Sequence, residues 1–504
     1  MTAPPTAAEP LSLKSGQGRW VIAATVLGSG IAFLDATVVG IALPSIDRTL
    51  HGNVGTLQWV VTGYSLTLAA FLLLGGSLGD RFGRKRIFSL GIAWFAVASA
   101  LCGVAPTSLV LIVARIVQGV GGALLTPGSL AILQASFRQE DRARAIGAWS
   151  GLGGVASAAG PLIGGYLIAA ASWRWVFFIN LPLAAFVLVV TARHVPESRD
   201  PSMAGRRIDV TGAALAVAFL AGLTYGLIGG PTRGWTDPLV LGALVLAVVS
   251  GPAFLVLEHR EAHPMLPLDL FRSRQFSGAN AVTFAVYGAL GGALFLLPIE
   301  LQVVAHYSPL QSGLALLPVT IVMLLFSARS GQLSARIGPR LQMSVGPLIV
   351  GAGLALLARA TDPGNYATQV LPGVLLFAIG LAVTVAPLTA TAMGAAPAEH
   401  SGIASAVNNT VARAAGLVAV AVLPLLSGLT GAAALGAAEL TSGFRTAVYI
   451  SAATSAAGGL VAVLTIRNPA RRAEQVPPRG VYQCGVGAPP LQVSVAATRG
   501  SGQG

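Results

Sequence analysis

Gly76-Ser77-Leu78-Gly79-Asp80-Arg81-Phe82-Gly83-Arg84-Lys85 is a short charged stretch between two apolar runs, 56–75 and 87–105. A second stretch, Gly331-Gln332-Leu333-Ser334-Ala335-Arg336-Ile337-Gly338-Pro339-Arg340, stands between the apolar runs 311–330 and 342–359. Gly, Leu, Arg and Gly recur at one offset of 255, and a basic residue closes both. The same offset carries Gly147 onto Gly402. Turns matched at one offset in two separated places point to two similar halves, a plan that puts the substrate site between them.

Outward from these turns the chain is a series of apolar runs, each near the ~20 residues that cross a bilayer as a helix. Spans are expected near 20–43, 56–75, 87–105, 108–133, 145–170, 175–193, 210–229, 238–257, 277–303, 311–330, 342–359, 367–392, 402–426 and 444–466. The Gly- and Ala-rich stretch 402–466 divides least clearly. The two turns then follow spans 2 and 10, a shift of eight. Six-helix repeats shift by six, so two further helices, 7 and 8, must lie between the halves. The expected fold is an all-α polytopic membrane protein of 6 + 2 + 6 helices. Its parts are a tail, 1–19; a six-helix bundle, 20–195; two inserted helices with their loops, 196–276; a second bundle, 277–466; and a disordered tail, 467–504.

Composition agrees. Of 504 residues, 54% are hydrophobic and 10% charged, against roughly 25% charged in a soluble domain. The 62 glycines sit inside apolar runs, where small residues let helices approach closely. Cys102 and Cys484 make neither a disulfide framework nor a metal-ligand spacing, so no metal site is expected. The stretch 1–18 is polar and contains proline, so it reads as a disordered tail rather than a signal peptide.

The net charge of +13 suits nucleic acid in principle, but its distribution excludes that reading. With the N-terminus inside, 23 Lys and Arg residues fall in inner tails and loops, 5 in outer loops, and Arg115, Arg329 and Arg413 at or within spans. That bias follows the positive-inside rule and places both termini in the cytoplasm.

The stretch from Gly76 to Lys85 resembles the signature loop of the major facilitator superfamily; the copy at 331–340 lacks the acid, with Ala335 in its place. Further motifs are Leu34-Asp35-Ala36-Thr37 through Pro44, Gln58-Trp59-Val60-Val61-Thr62-Gly63-Tyr64, Trp173-Arg174-Trp175 through Pro182, and Pro267-Leu268-Asp269-Leu270-Phe271. Together they resemble the fourteen-helix drug:proton antiporters of that superfamily. The antiporter signature of helix 5 is matched by Gly147, Gly160, Pro161, Gly164 and Gly165, with Ala156 where the family has a second glycine.

The resemblance implies a proton-coupled exporter working by alternating access, with helices 1, 4, 9 and 12 around the cavity. It implies that Gly76, Asp80, Arg81, Gly83, Arg84 and Lys85 form a conformational latch. In it Asp80 holds the outward-facing state through nearby arginines and a helix N-terminus of the other half. Topology alone also explains the basic residues of that loop.

Of the 18 acids, Asp35 and Glu300 fall well inside expected spans. A charge at that depth is costly and is a functional candidate by default. Asp35 is the candidate proton carrier; the plainer alternative is a structural acid. Arg115, in Arg115-Ile116-Val117-Gln118-Gly119, matches the family's arginine motif for proton transfer. As a permanent cation beside Asp35 it can hold the carboxylate charged and release it by moving away; a static ion pair is the alternative. Gln118 joins Asp35 and Glu300 as a candidate cavity residue. Glu300 stands where the family has an uncharged residue. A second proton site, a counter-charge for a cationic substrate and a solvated surface acid stay open for it. Arg413 is a further intramembrane cation, with Glu300 as a conceivable partner. Trp173, Trp175 and Tyr166 are expected at the outer interface.

No nucleotide-binding loop, zinc spacing or serine elbow occurs, so ATP drive, a cofactor and an enzyme activity are not expected. The expected activity is proton-driven efflux of amphipathic or cationic drugs or antibiotics across the cytoplasmic membrane, by a chain acting as a monomer among lipids. An importer or symporter of the same fold, and a non-transporting receptor, are the alternatives. The helix 5 signature argues against the first and the intramembrane charges against the second.

Overall fold

Each apolar run folds as a helix because backbone groups in a bilayer must be satisfied within their own segment. The computed structural model describes residues 10–200, 209–261, 264, 266–360, 365–396, 401–430 and 436–468. The tail 469–504, expected to be disordered, lies outside them, as do residues 1–9.

The helices are α1 (Gly16–Leu50), α2 (Val54–Phe82), α3 (Arg84–Val104), α4 (Ser108–Ser136), α5 (Gln139–Ala170), α6 (Trp175–His194), α7 (Val210–Arg233) and α8 (Pro238–Arg260). They continue as α9 (Arg274–Val303), α10 (Pro309–Ile337), α11 (Pro339–Leu357), α12 (Leu371–Gly394), α13 (Ser401–Leu426) and α14 (Ala437–Thr465). Short breaks interrupt α6 at Ile179 and α10 at Leu316. Thirteen are long and apolar enough to cross a membrane over their described residues. The fourteenth, α5, contributes the shorter described apolar segment Ala159–Ala170. The chain is a multi-pass membrane protein.

Most helices outrun their apolar windows. At 1.5 Å per residue, the 35 residues of α1 are about 52 Å long, well beyond the ~30 Å hydrocarbon core. The starts are capped by side chains: Ser15 accepts from Gly18 N, Asn53 from Thr56 N, and Ser308 with Gln311 forms a capping box. Leu440 N already donates to Gly436 O at 2.8 Å, so α14 starts at Ala437 rather than near 444.

The N-terminal stretch differs from expectation in its described part. Leu11 N donates to Ser136 O at 2.8 Å, Arg138 N to Leu11 O at 3.2 Å, and Leu13 N to the Asp141 carboxylate at 3.0 Å. The end of α4 leaves carbonyls without helical partners, and this extended segment takes them up.

Packing reproduces the shift of eight. In the first half α1 packs on α5 and α6, α2 and α3 on α4, and α3 on α6. In the second, α9 packs on α13 and α14, α10 and α11 on α12, and α11 on α14. Gly83 and Gly338, 255 residues apart, both take positive φ, +114° and +86°, where the chain turns between helices. The inserted pair α7–α8 packs on itself and, through α7, on α2 and α13 at the seam between halves. Leu220 of α7 joins Leu66, Ala69, Ala70 and Leu417 there. Outward-facing apolar residues such as Leu109, Val248 and Leu464, each at least 70% exposed, form the surface for lipid.

The two membrane faces differ. One carries the basic α2–α3 and α10–α11 turns and is called the basic face. An apolar cluster that runs through the second half meets the first half on the side of the opposite face, where Val38, Ile41, Val54 and Leu57 join Leu296, Leu301 and Val420. Gln302 Nε2 donates to Ile41 O at 2.9 Å and Gln58 Nε2 to Val420 O at 2.7 Å across the same join. Toward the basic face the clusters separate: Val21, Phe88, Phe137 and Val187 belong to the first half, and Leu270, Phe276, Ala404 and Val407 to the second. The halves are sealed at the opposite face and have separate cores at the basic face.

Candidate functional site

Asp35 lies midway along α1 and is fully buried. Arg115 enters from α4, and its Nη1 donates to Asp35 Oδ2 at 2.5 Å and to Gln118 Oε1 at 2.6 Å. Gln118, one helical turn on, donates through Nε2 to Asp35 Oδ1 at 3.0 Å. Asn180 Nδ2, at the start of the long part of α6, donates to the same oxygen at 3.2 Å. Gln118 and Asn180 both also donate to Ser99 Oγ of α3, which donates to Phe177 O. Arg115 Nε donates to Val60 O of α2 at 3.1 Å, and its guanidinium lies 4.2 Å from the centre of the Tyr64 ring.

The network therefore draws on α1, α2, α3, α4 and α6, all of the first half. Every side chain in it is at most 2% exposed. Each charge is desolvated and each is answered by an opposite charge and hydrogen bonds, the condition under which buried ions persist. The sequence reading contained Asp35, Arg115 and Gln118 but gave no role to Ser99, Tyr64 or Asn180. Asn180 lies in the stretch Trp173 to Pro182, and a polar amide in an apolar run is its only signal.

Glu300 is buried near the end of α9, at the sealed face. Thr441 Oγ1 of α14 donates to its Oε1 at 3.3 Å, and its Oε2 has no hydrogen-bond partner. Beside it a cavity of about 610 Å³ opens between Val304, Thr441, Arg445 and Tyr449. The conceivable partnership with Arg413 is not formed. A side chain at Gly288 of α9 would meet Ala415 of α13, which fixes the register of the two helices. Glu300 lies twelve residues beyond Gly288, about 18 Å along the helix. Arg413 precedes Ala415 in a helix running the same way, so it lies farther still.

In the latch, Arg84 Nε donates to Asp80 Oδ1 at 2.8 Å, and Asp80 O accepts from Asp200 N at 3.0 Å. Glu197 accepts from Lys85 N and Arg86 N and so caps the start of α3, and Lys85 Nζ donates to Ala192 O. Gly76 faces Pro127, Gly83 faces the Glu197 carboxyl, and Arg81 lies over the Phe82 ring. These partners all belong to the first half or the stretch just after it, and the helix N-terminus of the second half is not among them. That fits a basic face at which the halves have separate cores.

The helix 5 residues act through contact. Ala156 meets Gly30 of α1, whose missing Cβ makes room for the alanine methyl. Gly160 faces Thr37 and Gly164 faces Val38, both of α1. Gly165 lies against the backbone of Pro309 and Leu310, and Pro161 O lies against Gly313, across the seal to α10. Gly147 has open space around it. Among the aromatics, Trp175 and Tyr166 are 52% and 62% exposed, but Trp173 is only 3% exposed. It packs edge-on to Phe177 under the Arg174 guanidinium, so it is a core residue rather than an interface anchor.

The fold and these motifs meet in the comparison with known proteins. A family model described as Major Facilitator Superfamily matches residues 25–420. The chain belongs to the major facilitator superfamily. It is 37% identical over 385 residues to the Multidrug resistance protein Stp of Mycobacterium tuberculosis, covering 76% of this chain and 71% of that one. It is 35% identical over 418 residues to the Tetracenomycin C resistance and export protein of Streptomyces glaucescens, covering 83% and 77%. Among solved structures, that of a D-xylose–proton symporter aligns with a TM-score of 0.64 at 15% identity, covering 90% of this chain and 99% of that one. The last likeness shows the fold alone.

Proposed function

We propose that the protein is a proton-coupled exporter of drugs or antibiotics in the cytoplasmic membrane, with both termini and the basic face in the cytoplasm. The observation that carries this reading is the Asp35–Arg115 pair, buried in one of two halves that are sealed at one face only. Relatives named for multidrug resistance and for export support the direction of transport, and the 23 to 5 bias of basic residues supports the orientation.

In this reading the described conformation faces the cytoplasm, and Asp35 is held as a carboxylate by Arg115, Gln118 and Asn180. A substrate entering between the halves favours the state open at the opposite face. There Arg115 draws away from Asp35, water reaches the carboxylate and a proton binds. The neutral acid no longer holds Arg115, and the protein returns. Each ligand moves the equilibrium only by its preference for one of the two states. The proton gradient is the energy source, with no cofactor and no covalent step. One chain contains both the pair and the seal, so a monomer suffices.

The test is transport by the purified chain in proteoliposomes under an imposed pH gradient. Wild type should move drug against its gradient in exchange for protons. Asp35→Asn should abolish gradient-driven transport while the protein still expresses and folds. Full pH-driven transport by Asp35→Asn would remove Asp35 from the coupling step.

A further inference from the structure

Arg413 on α13 is an intramembrane cation with no hydrogen-bond or ion-pair partner among the described residues, and its Nε is shut off from solvent. The rest of the side chain keeps partial exposure. A charge at this depth is normally paired or water-exposed. The two intramembrane acids cannot serve it: Asp35 is engaged by Arg115, and Glu300 lies at the sealed face.

Its setting is the join between the halves. Arg413 shares a stripe of α13 with Leu417 and Val420, at the i, i+4, i+7 spacing of one helix face. Leu417 packs on Leu66 and Ala69 of α2, and Val420 O accepts from Gln58 of α2. Tyr64 of α2 and Tyr287 of α9, one from each half, interact electrostatically with Arg413. Tyr64 is also the ring on which Arg115 stacks, so one residue is coupled to both arginines.

We propose that Arg413 anchors the transported molecule and sets its chemical class. The substrate would present an anionic oxygen, a carboxylate or phenolate on an apolar frame, to Arg413. This deepens the export reading and rests on it. A cationic drug meets an uncompensated positive charge here, and the carboxylate that would offset it is neutralised inside the first half. An anionic oxygen instead gains a charge-assisted hydrogen bond from a guanidinium that no protein group among the described residues engages. Because Tyr64 stacks on Arg115 and interacts electrostatically with Arg413, a substrate anchored at Arg413 is linked to the proton-coupling pair through that ring.

Two dyes on one xanthene scaffold but of opposite charge make the test, fluorescein as the anion and rhodamine 6G as the cation. Binding to the purified full chain is read by fluorescence anisotropy and export in proteoliposomes. Wild type should bind fluorescein at least about tenfold more tightly than rhodamine 6G, the scale of a hydrogen bond to a charged group. Arg413→Gln should lose that preference, and Arg413→Lys should keep part of it. Rhodamine 6G binding as well as fluorescein, or no fluorescein binding at all, overturns the proposal, as does unchanged fluorescein binding by folded Arg413→Gln. The wild-type comparison decides alone if the Gln variant does not fold. Gradient-driven export of rhodamine 6G without fluorescein would overturn the anchor and leave the exporter standing. Arg413-dependent fluorescein binding without gradient-driven export of any drug would do the reverse.

Discussion

At the scale of single residues, the buried network makes Arg115 and Asp35 unequal to ordinary surface pairs. Arg115→Ala leaves a carboxylate in a fully buried site with only amide donors, at a cost of about 3–5 kcal/mol. The expected outcome is a large fall in the melting temperature of the detergent-purified protein. Replacing both partners, as in Asp35→Asn with Arg115→Gln, removes both charges together and should recover much of that stability without recovering pH-driven transport. If the double variant melts no higher than Arg115→Ala, the cost does not come from the stranded charge. Sequence reading reached Asp35 and Arg115 because charges are conspicuous in apolar runs. It gave no role to Ser99 and Asn180 because a serine or amide there is compatible with many local roles.

At the scale of elements, α5 is both strut and seal, and its glycines divide accordingly. A Cβ at Gly165 would lie 2.7 Å from Pro309 O and Leu310 Cα, backbone atoms that cannot yield. Gly165→Val should pry the sealed face apart. A cysteine placed at Gln302 should then react severalfold faster with a membrane-impermeant thiol reagent than in the parent. Gly147→Ala is the contrast, since its Cβ meets nothing, and should leave both reactivity and transport near wild type. Equal reactivity in the two variants would remove Gly165 from the seal. Helix existence was readable because hydropathy is a local property of about twenty residues. Helix ends were not, because the hydrogen-bond ladder runs on past the apolar window until a cap or a positive-φ glycine stops it.

For the whole molecule, a join at one face and separate cores at the other imply that the halves rock against each other. Spin labels at Arg86 and Ala335, on the basic-face turns of the two halves, report this directly. The distance distribution should contain a long component, for the described conformation, and a shorter one for the state open at the opposite face. Asp35→Asn and changes of pH should alter their proportions. A single distance, unmoved by pH, substrate or Asp35→Asn, would contradict the rocking mechanism.

The sequence by itself determined that the chain crosses a membrane, how its helices divide into 6 + 2 + 6, and the matched turns at Gly83 and Gly338. These follow from hydropathy and from an offset preserved along the chain, which need no knowledge of neighbours. Tertiary structure decided which intramembrane groups meet. A side chain's partners depend on how each helix is rotated about its axis and how far it slides along it, and apolar runs encode neither. Rotation brings Arg115, Gln118 and Asn180 onto Asp35. Axial position keeps Glu300 with Thr441 at the seal and leaves Arg413 without a hydrogen bond or ion pair among the described residues. The same two variables turn Trp173 inward while Trp175, two residues on, faces out.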